Sequence, residues 1–200
     1  MGPCRVHPEG DRGLLRTKTF CYHLVASFLG DIGVVWRSGG DTPSIVRVVL
    51  PRADRPTVGG IRADHPDAAE RSHADLEKTC EDIGAFLEGT RVNFSMRRLE
   101  IGRCREFQQR VFLETMRIPC GSVTSYGELA EAIHAPGAAR AVGSALARNP
   151  FPLIIPCHRV VKSDGCSGQF GGGREMKKAL LRLEGVEIDN RGRIAPAFFR

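Results

Sequence analysis

Residues 124–150 read TSYGELAEAIHAPGAARAVGSALARNP, and this stretch sets the architecture of the half of the chain that carries it. Ser125 and Glu128 form an S-x-x-E capping box, which predicts a helix over about 126–134. His134-Ala135-Pro136-Gly137 breaks that helix, and a second one is expected over Ala138–Arg148, stopped by Asn149-Pro150. Two short helices joined by a tight turn outline a helix-turn-helix, although an ordinary helical hairpin fits the same pattern. The second helix is unusual in lacking bulk. Ala138, Ala139, Ala141, Val142, Gly143, Ser144 and Ala145 are all short, and Arg140 is the lone long polar side chain before Arg148. A reader of major-groove base edges would carry Asn, Gln, Arg or Lys at several of these positions. This helix instead suits close, sequence-independent approach to a groove, with one arginine reaching into the base stack.

Downstream, Phe151, Leu153, Ile154 and Ile155 form an apolar run interrupted by Pro152 and closed by Pro156. The prolines stop any helix, hold the following residues extended and deliver Cys157 at a rigid corner. His158 and Arg159 are the residue types that raise the thiolate fraction of a neighbouring cysteine. Taken alone, a Cys-His pair also describes a packed thiol beside a polar neighbour. Cys166 lies among Gly and Ser without a base and is expected to be inert. An amphipathic helix is expected over 174–184, with Met176, Ala179, Leu180 and Leu183 facing inward and Glu184 at its end.

Upstream, Phe107, Val111, Phe112 and Met116 share one helical face, and Pro119 with Gly121 ends that helix. The arginine-rich stretch 91–103 reads as a linker, giving a C-terminal domain over 104–200. Over 18–90, the β-rich runs 22–28, 32–37 and 44–50 predict an antiparallel meander. Residues 51–71 read as a loop, and Ser72 reads as the N-cap of a helix ending at Gly89. Residues 1–17 are polar and read as a flexible extension. The overall expectation is an α+β protein.

Composition narrows the function classes. With 42% hydrophobic residues over 200 positions, a sizeable core is affordable. No apolar run approaches the roughly 18–20 residues of a membrane span, and the N-terminus lacks a signal-peptide pattern. A soluble intracellular monomer with no membrane partner is expected, cytoplasmic in a prokaryote or nuclear in a eukaryote. Seven scattered cysteines without a C-x-x-C pair suggest reduced thiols. Cys4, His7, Cys21 and His23 are spaced too irregularly to predict a metal site, and no cofactor is expected. Residues 1–90 carry 11 basic and 13 acidic side chains, whereas 91–200 carry 18 and 10. The basic half is the half with the thiol, so a polyanion is the leading partner class beside a merely solvated basic surface.

The segments FQQRVF (107–112), TSYGELA (124–130), GAARAVGSALARNP (137–150), IIPCHRVV (154–161) and SGQFGGG (167–173), followed by LEG (183–185), resemble the O6-alkylguanine-DNA alkyltransferases. The likeness covers about 105–187 closely, and PCHRV in register with the preceding ARAVG helix is its most specific part. Residues 1–90 match loosely, through YHLVASFLGDIGVVW. The resemblance implies a ribonuclease-H-like N-terminal α/β domain and a winged-helix-like C-terminal domain with a helix-turn-helix. It implies base flipping in double-stranded DNA and irreversible alkyl transfer from O6-alkylguanine, and also from O4-alkylthymine, to Cys157, once per molecule. His158 would be the base acting through a water and Glu184 its orienter. Tyr126 would donate to guanine N3, and Asn149 would fix the turn beside the thiol. Arg140 would be the finger, with Ala139, Ala141 and Gly143 against the minor groove. Pro156, Val160, Phe170 and Gly171 would line the base pocket, the carbonyls of Cys157 and Val160 facing the guanine amine. Arg159 would tie the site together internally.

Phe170 stands where many relatives carry tyrosine, and Gly171-Gly172-Gly173 is a looser loop than usual, so a wider pocket is expected. Two other functions remain open at the level of sequence. A damage sensor that binds flipped bases without reacting would not need Cys157, and a thiol hydrolase would leave the small-residue helix with Arg140 unexplained.

Overall fold

The computed structural model describes residues 19–38 and 42–200. The expected extension over 1–17 lies outside the described residues. The first half is built on a four-stranded sheet of order β3-β2-β1-β4. Strands β1 (Phe20–Val25), β2 (Ile32–Arg37) and β3 (Ser44–Val49) form the expected antiparallel meander, with Cys21 opposite Trp36 and Val34 opposite Val48. Two corrections apply to the stretch read as a loop. It contains helix α1 (Thr57–Asp64), and strand β4 (Ala69–Glu70), which pairs with β1 in parallel. The sheet is therefore mixed. Helix α2 (Ala74–Leu87) follows, capped by His73, whose ring accepts from the Asp75 backbone N–H at 3.2 Å. Ser72 is not the cap.

Strand alternation sends side chains to two faces. Tyr22 and Val35 meet Ile61 and Ala68 on the α1 side. Cys21, Val34 and Trp36 meet Leu76, Ile83 and Phe86 of α2 on the other. The second core runs without a break into the rest of the chain, through Phe112, Leu129, Val142, Phe151 and Leu180.

The segment read as a linker is fastened to the outer edge of β3. Ile45 donates to Arg98 O at 2.7 Å and accepts from the Glu100 N–H at 2.9 Å, while Glu100 also takes Arg37 (3.0 Å) and Ser44 (2.7 Å). Farther along β3, the Val48 N–H donates to Pro150 O at 2.7 Å. The edge is thus covered from the chain's own second half, which removes a site for strand addition.

That second half contains α3 (Glu106–Thr115), β5 (Thr124–Ser125), α4 (Tyr126–Ala132), α5 (Ala139–Ala147), β6 (Val160–Val161) and α6 (Arg174–Leu183), with β5 and β6 parallel. The capping box forms as expected: Ser125 Oγ accepts from the Glu128 N–H (3.1 Å) and Glu128 accepts from the Ser125 N–H (2.7 Å). The turn after α4 places His134 at φ 55°, and Ala135 N–H returns to Ala130 O at 2.9 Å. A left-handed residue followed by this bond is the usual way to stop a helix in one step. No helix among the described residues is long and apolar enough to cross a membrane.

Candidate active site

The thiol is set by a chain of turns rather than by a strand. Leu153 has φ 72°, and the Ile155 N–H donates to Phe151 O at 2.8 Å, closing a turn over 151–155. Pro156 (φ −80°, ψ 58°) then sits at the centre of an inverse γ-turn, with the Cys157 N–H donating to Ile155 O at 2.7 Å. Cys157–Arg159 is a single 3-10 turn, not the extended segment expected after the prolines. Asn149 holds both ends of this path. Its Oδ1 accepts from the Phe151 N–H (2.9 Å), and its Nδ2 donates to Ile155 O (3.0 Å) and to Cys157 Sγ (3.2 Å).

Behind the thiol lies a buried charged cluster. Glu184, whose side chain is 1% exposed, takes His158 Nε2 at 2.9 Å. It also receives Arg159 through Nε at 3.0 and 3.1 Å and through Nη2 at 2.8 Å, and Arg159 Nη1 donates to Ile118 O at 2.6 Å. The Gly121 N–H adds a longer contact of 3.4 Å. Burial pushes the Glu184 carboxyl up, but His158 and Arg159 outweigh it and hold the group at about 2. The carboxylate is already matched by an arginine, and burial keeps the His158 pKa below its ordinary value, against the pull of Glu184. A neutral imidazole facing a carboxylate carries its proton on Nε2. Nδ1 is then the free acceptor, and it is buried with no hydrogen-bond partner among the described residues. Phe86 and Phe170 flank the ring at centroid distances of 6.0 and 6.4 Å.

Burial raises the Cys157 thiol, while the Asn149 amide and the Lys177 ammonium act in the opposite direction without overcoming it. A buried thiol in this state needs a proton acceptor before it becomes a nucleophile, and the free Nδ1 of the adjacent residue is of the right type.

Lys177 is the functional-looking residue that sequence reading missed. It is fully buried on α6 and donates to Val160 O at 2.6 Å, with its ammonium 5.9 Å from the Tyr126 ring centroid. Burial lowers it to about 8, against the opposing pull of Cys157. The buried face of α6 is Lys177, Leu180, Leu181 and Glu184; of the expected Met176, Ala179, Leu180 and Leu183, Leu180 is in the core and Met176 packs half-buried against it, while Ala179 and Leu183 are only half-buried. The i, i+3, i+4, i+7 spacing of these four residues was the available signal.

Tyr126, Gly143, Leu146, Cys157, Phe170 and Gly171 line a cavity of about 160 Å³. Burial, followed by the charge of Cys157, raises the Tyr126 phenol and keeps it a proton donor. Gly168 (φ 75°) passes so close that a Cβ there would stand 3.1 Å from Tyr126 Oη. In the glycine loop, a Cβ on Gly172 would run into Met176 Sδ, whereas one on Gly171 would meet nothing within 4 Å. The triple glycine thus packs against the Met176 side chain at its centre and is open at Gly171, on the side of the cavity.

The remaining expected site residues fall as follows. Arg140 and Ala141 are exposed on α5 and Ala139 is half-buried, while a Cβ on Gly143 would lie 3.8 Å from the Tyr126 ring. Val160 is buried with its carbonyl bonded to Lys177, and Cys157 O accepts from the Val160 N–H. Cys166 sits in a surface turn with its N–H on Asp164 (2.9 Å). Cys21 lies in the core and His23 on β1, while Cys4 and His7 lie outside the described residues.

Comparison with known proteins places this geometry. The family profile of the 6-O-methylguanine DNA methyltransferase DNA-binding domain matches residues 106–186. A methylated-DNA–protein-cysteine methyltransferase of Methanothermobacter thermautotrophicus is 39% identical over 159 residues, 80% of this chain and 82% of that one. A protein of the same name from Mycolicibacterium paratuberculosis is 46% identical over 104 residues, 52% of this chain and 62% of its own. Among solved structures, the Mycobacterium tuberculosis O6-methylguanine methyltransferase superposes with a TM-score of 0.67 at 31% identity, covering 83% of this chain and 93% of that one. The same organism's protein in complex with DNA gives 0.65 at 32%, covering 82% and 91%. With a relative 39% identical across four-fifths of both chains, and with the profile lying over the thiol, the buried charged cluster and the small-residue helix, the chain belongs to the methylated-DNA–protein-cysteine methyltransferase family.

Proposed function

We propose that this protein repairs DNA by drawing O6-alkylguanine out of the duplex and transferring the alkyl group to Cys157 in a single turnover. The observation that carries the reading is Cys157 Sγ on the wall of a small cavity shared with the protonated Tyr126 phenol, backed by the buried His158–Glu184–Arg159 cluster. His158 Nδ1 accepts the thiol proton through a water, and Glu184 with Arg159 holds the ring for that step. The thiolate attacks the carbon on O6, the C–O electron pair returns to the base, and Tyr126 donates a hydrogen bond to N3 that eases the charge on the leaving guanine, which then takes up the proton held by His158. A thioether remains, and no side chain in the cavity can hydrolyse it.

In this reading α4 and α5 are the helix-turn-helix, with α5 in the minor groove, Ala139 and Ala141 permitting close approach and Arg140 filling the space of the extruded base. Gly143 and Gly171 give the base its room, Pro156 fixes the thiol against it, and Phe170 closes the far side. Residues 104–200 act as a winged-helix-like DNA-binding and acceptor domain. Residues 18–90 act as a ribonuclease-H-like support, reached through 91–103; the sheet with a helix on each face supports that assignment.

The deciding experiment is intact mass after incubation with an O6-methylguanine duplex. One methyl in place of one thiol hydrogen, on the peptide holding Cys157, is expected. Tight binding with unchanged mass would make the protein a non-reactive sensor instead.

A further inference from the structure

On the side of the sheet away from the covered β3 edge, the second half of β1 has no neighbouring strand among the described residues. Strand β4 pairs with Cys21 and Tyr22, and the Arg71 N–H donates to Tyr22 O at 2.8 Å. The chain then turns into α2, so β1 continues beyond its partner. Because successive backbone groups alternate in direction, the Leu24 amide and carbonyl face the same side as the bonded Tyr22 carbonyl. No strand pairs with them there among the described residues.

This free edge forms one wall of a groove of about 620 Å³ that runs from His23 to Ala26 along β1 and is closed by α2. Its floor is apolar, made by Val25, Trp36, Leu76 and Ala85. Trp36 is 3% exposed, and its indole Nε1 is buried with no acceptor among the described residues. The rim is acidic. Glu77, Glu81 and Glu88 are exposed along α2, line the groove and make no ion pair among the described residues. Elsewhere on the helix, Asp75 and Asp82 are paired with Arg98 and Lys78. The field of the rim is felt at Cys80 in the same groove, where burial together with Glu77 and Glu81 raises the thiol to about 11.

We infer that this groove binds a short, extended, lysine- or arginine-bearing segment of a partner polypeptide, which adds as a strand to the free edge of β1. The edge supplies backbone bonds, the apolar floor takes alternate side chains, and the three unpaired carboxylates select for positive charge. The groove and the acceptor site share α2, whose Phe86 packs against His158 on the other face. The inference does not depend on alkyl transfer.

Trp36 is the chain's single tryptophan, so its emission reports on the groove directly. The full-length protein is titrated with a capped hexapeptide alternating lysine and valine, with its glutamate–valine counterpart, and with a version N-methylated at alternate residues. A saturable emission change is expected for the lysine peptide alone. Glu77→Gln/Glu81→Gln/Glu88→Gln should weaken it ~10-fold and leave the rate of alkyl transfer at the wild-type value. Three results overturn the inference: no saturable change, equal binding of the N-methylated peptide or by the triple variant, or an emission change that follows protein concentration without peptide. The last would make a second copy of this chain the occupant.

Discussion

Glu184→Gln removes one charge from the buried cluster while keeping its volume. In the native protein the carboxylate receives Arg159 through three contacts between 2.8 and 3.1 Å and His158 at 2.9 Å. A carboxyl held at about 2 rather than its ordinary 4.5 stabilises the fold at neutral pH by roughly 3 kcal/mol. Losing one partner of a buried ion pair typically costs ~3–5 kcal/mol, because the other charge stays buried and unmatched. The two routes agree on about 3 kcal/mol. With an m-value of roughly 2 kcal/mol/M for a chain of this size, the urea midpoint at pH 7 should fall by about 1.5 M.

The pH dependence follows from the sign of the shift. The folded carboxyl lies below its unfolded value, so its stabilisation is full above about 4.5 and is lost as pH falls through about 2. The midpoints of wild type and variant should therefore converge over that window. The single-turnover rate on an O6-methylguanine duplex should drop by ~10²-fold or more, since the imidazole loses the carboxylate that favours its protonation. A midpoint within about 0.3 M of wild type, or a transfer rate within about threefold, would refute the reasoning.

Lys177→Met should separate stability from reactivity. Burial that lowers Lys177 from 10.5 to about 8 costs the native state roughly 3 kcal/mol, partly offset by the bond to Val160 O. The variant should gain ~1 kcal/mol in urea unfolding at pH 7, a gain that fades as pH rises from about 8 towards 10.5. Its transfer rate should nevertheless fall by ~10-fold, because the thiolate loses its neighbouring cation. Gly168→Ala forces a left-handed residue, worth ~1–2 kcal/mol, and pushes on Tyr126 Oη. Transfer from the duplex should suffer far more than labelling of Cys157 by iodoacetamide. Arg140 is exposed and has no partner among the described residues. Arg140→Ala should leave thermal unfolding and reaction with free O6-benzylguanine unchanged while slowing transfer from duplex DNA by ~10-fold or more.

What could be read in the sequence was local. The Ser125–Glu128 capping box, the Pro136-Gly137 break and the alternating strands each depend on neighbours a few residues away. Helix α1 escaped because Pro56, Gly59 and Gly60 argue for a loop, and the helix exists by packing Ile61 against Tyr22 and Val35. Strand β4 has two residues and no periodicity of its own. The thiol, the imidazole and the glutamate could be picked out as residue types. The convergence of Arg159, Gly121 and Ile118 on one carboxylate's surroundings spans segments 25 to 63 positions apart and belongs to the fold. Lys177 was legible in principle, one helical position from the face that was chosen, but a lysine on an apolar stripe reads as a boundary rather than as a member.

The buried site makes sense in terms of what it never has to do. A turning-over enzyme must open to release product and regenerate its nucleophile, which favours exposed or mobile catalytic groups. Here Cys157, His158, Arg159, Lys177 and Glu184 are all buried, and Leu153 is held in a left-handed conformation nearby. Two cations and one carboxylate share the site with a thiol that burial keeps protonated, so Lys177 has no fixed counter-charge until Cys157 gives up its proton to His158. The thiolate gains the Lys177 ammonium as a partner only while it forms and attacks. Alkylation leaves a neutral thioether in its place, so the electrostatic help that favours the transfer is available once.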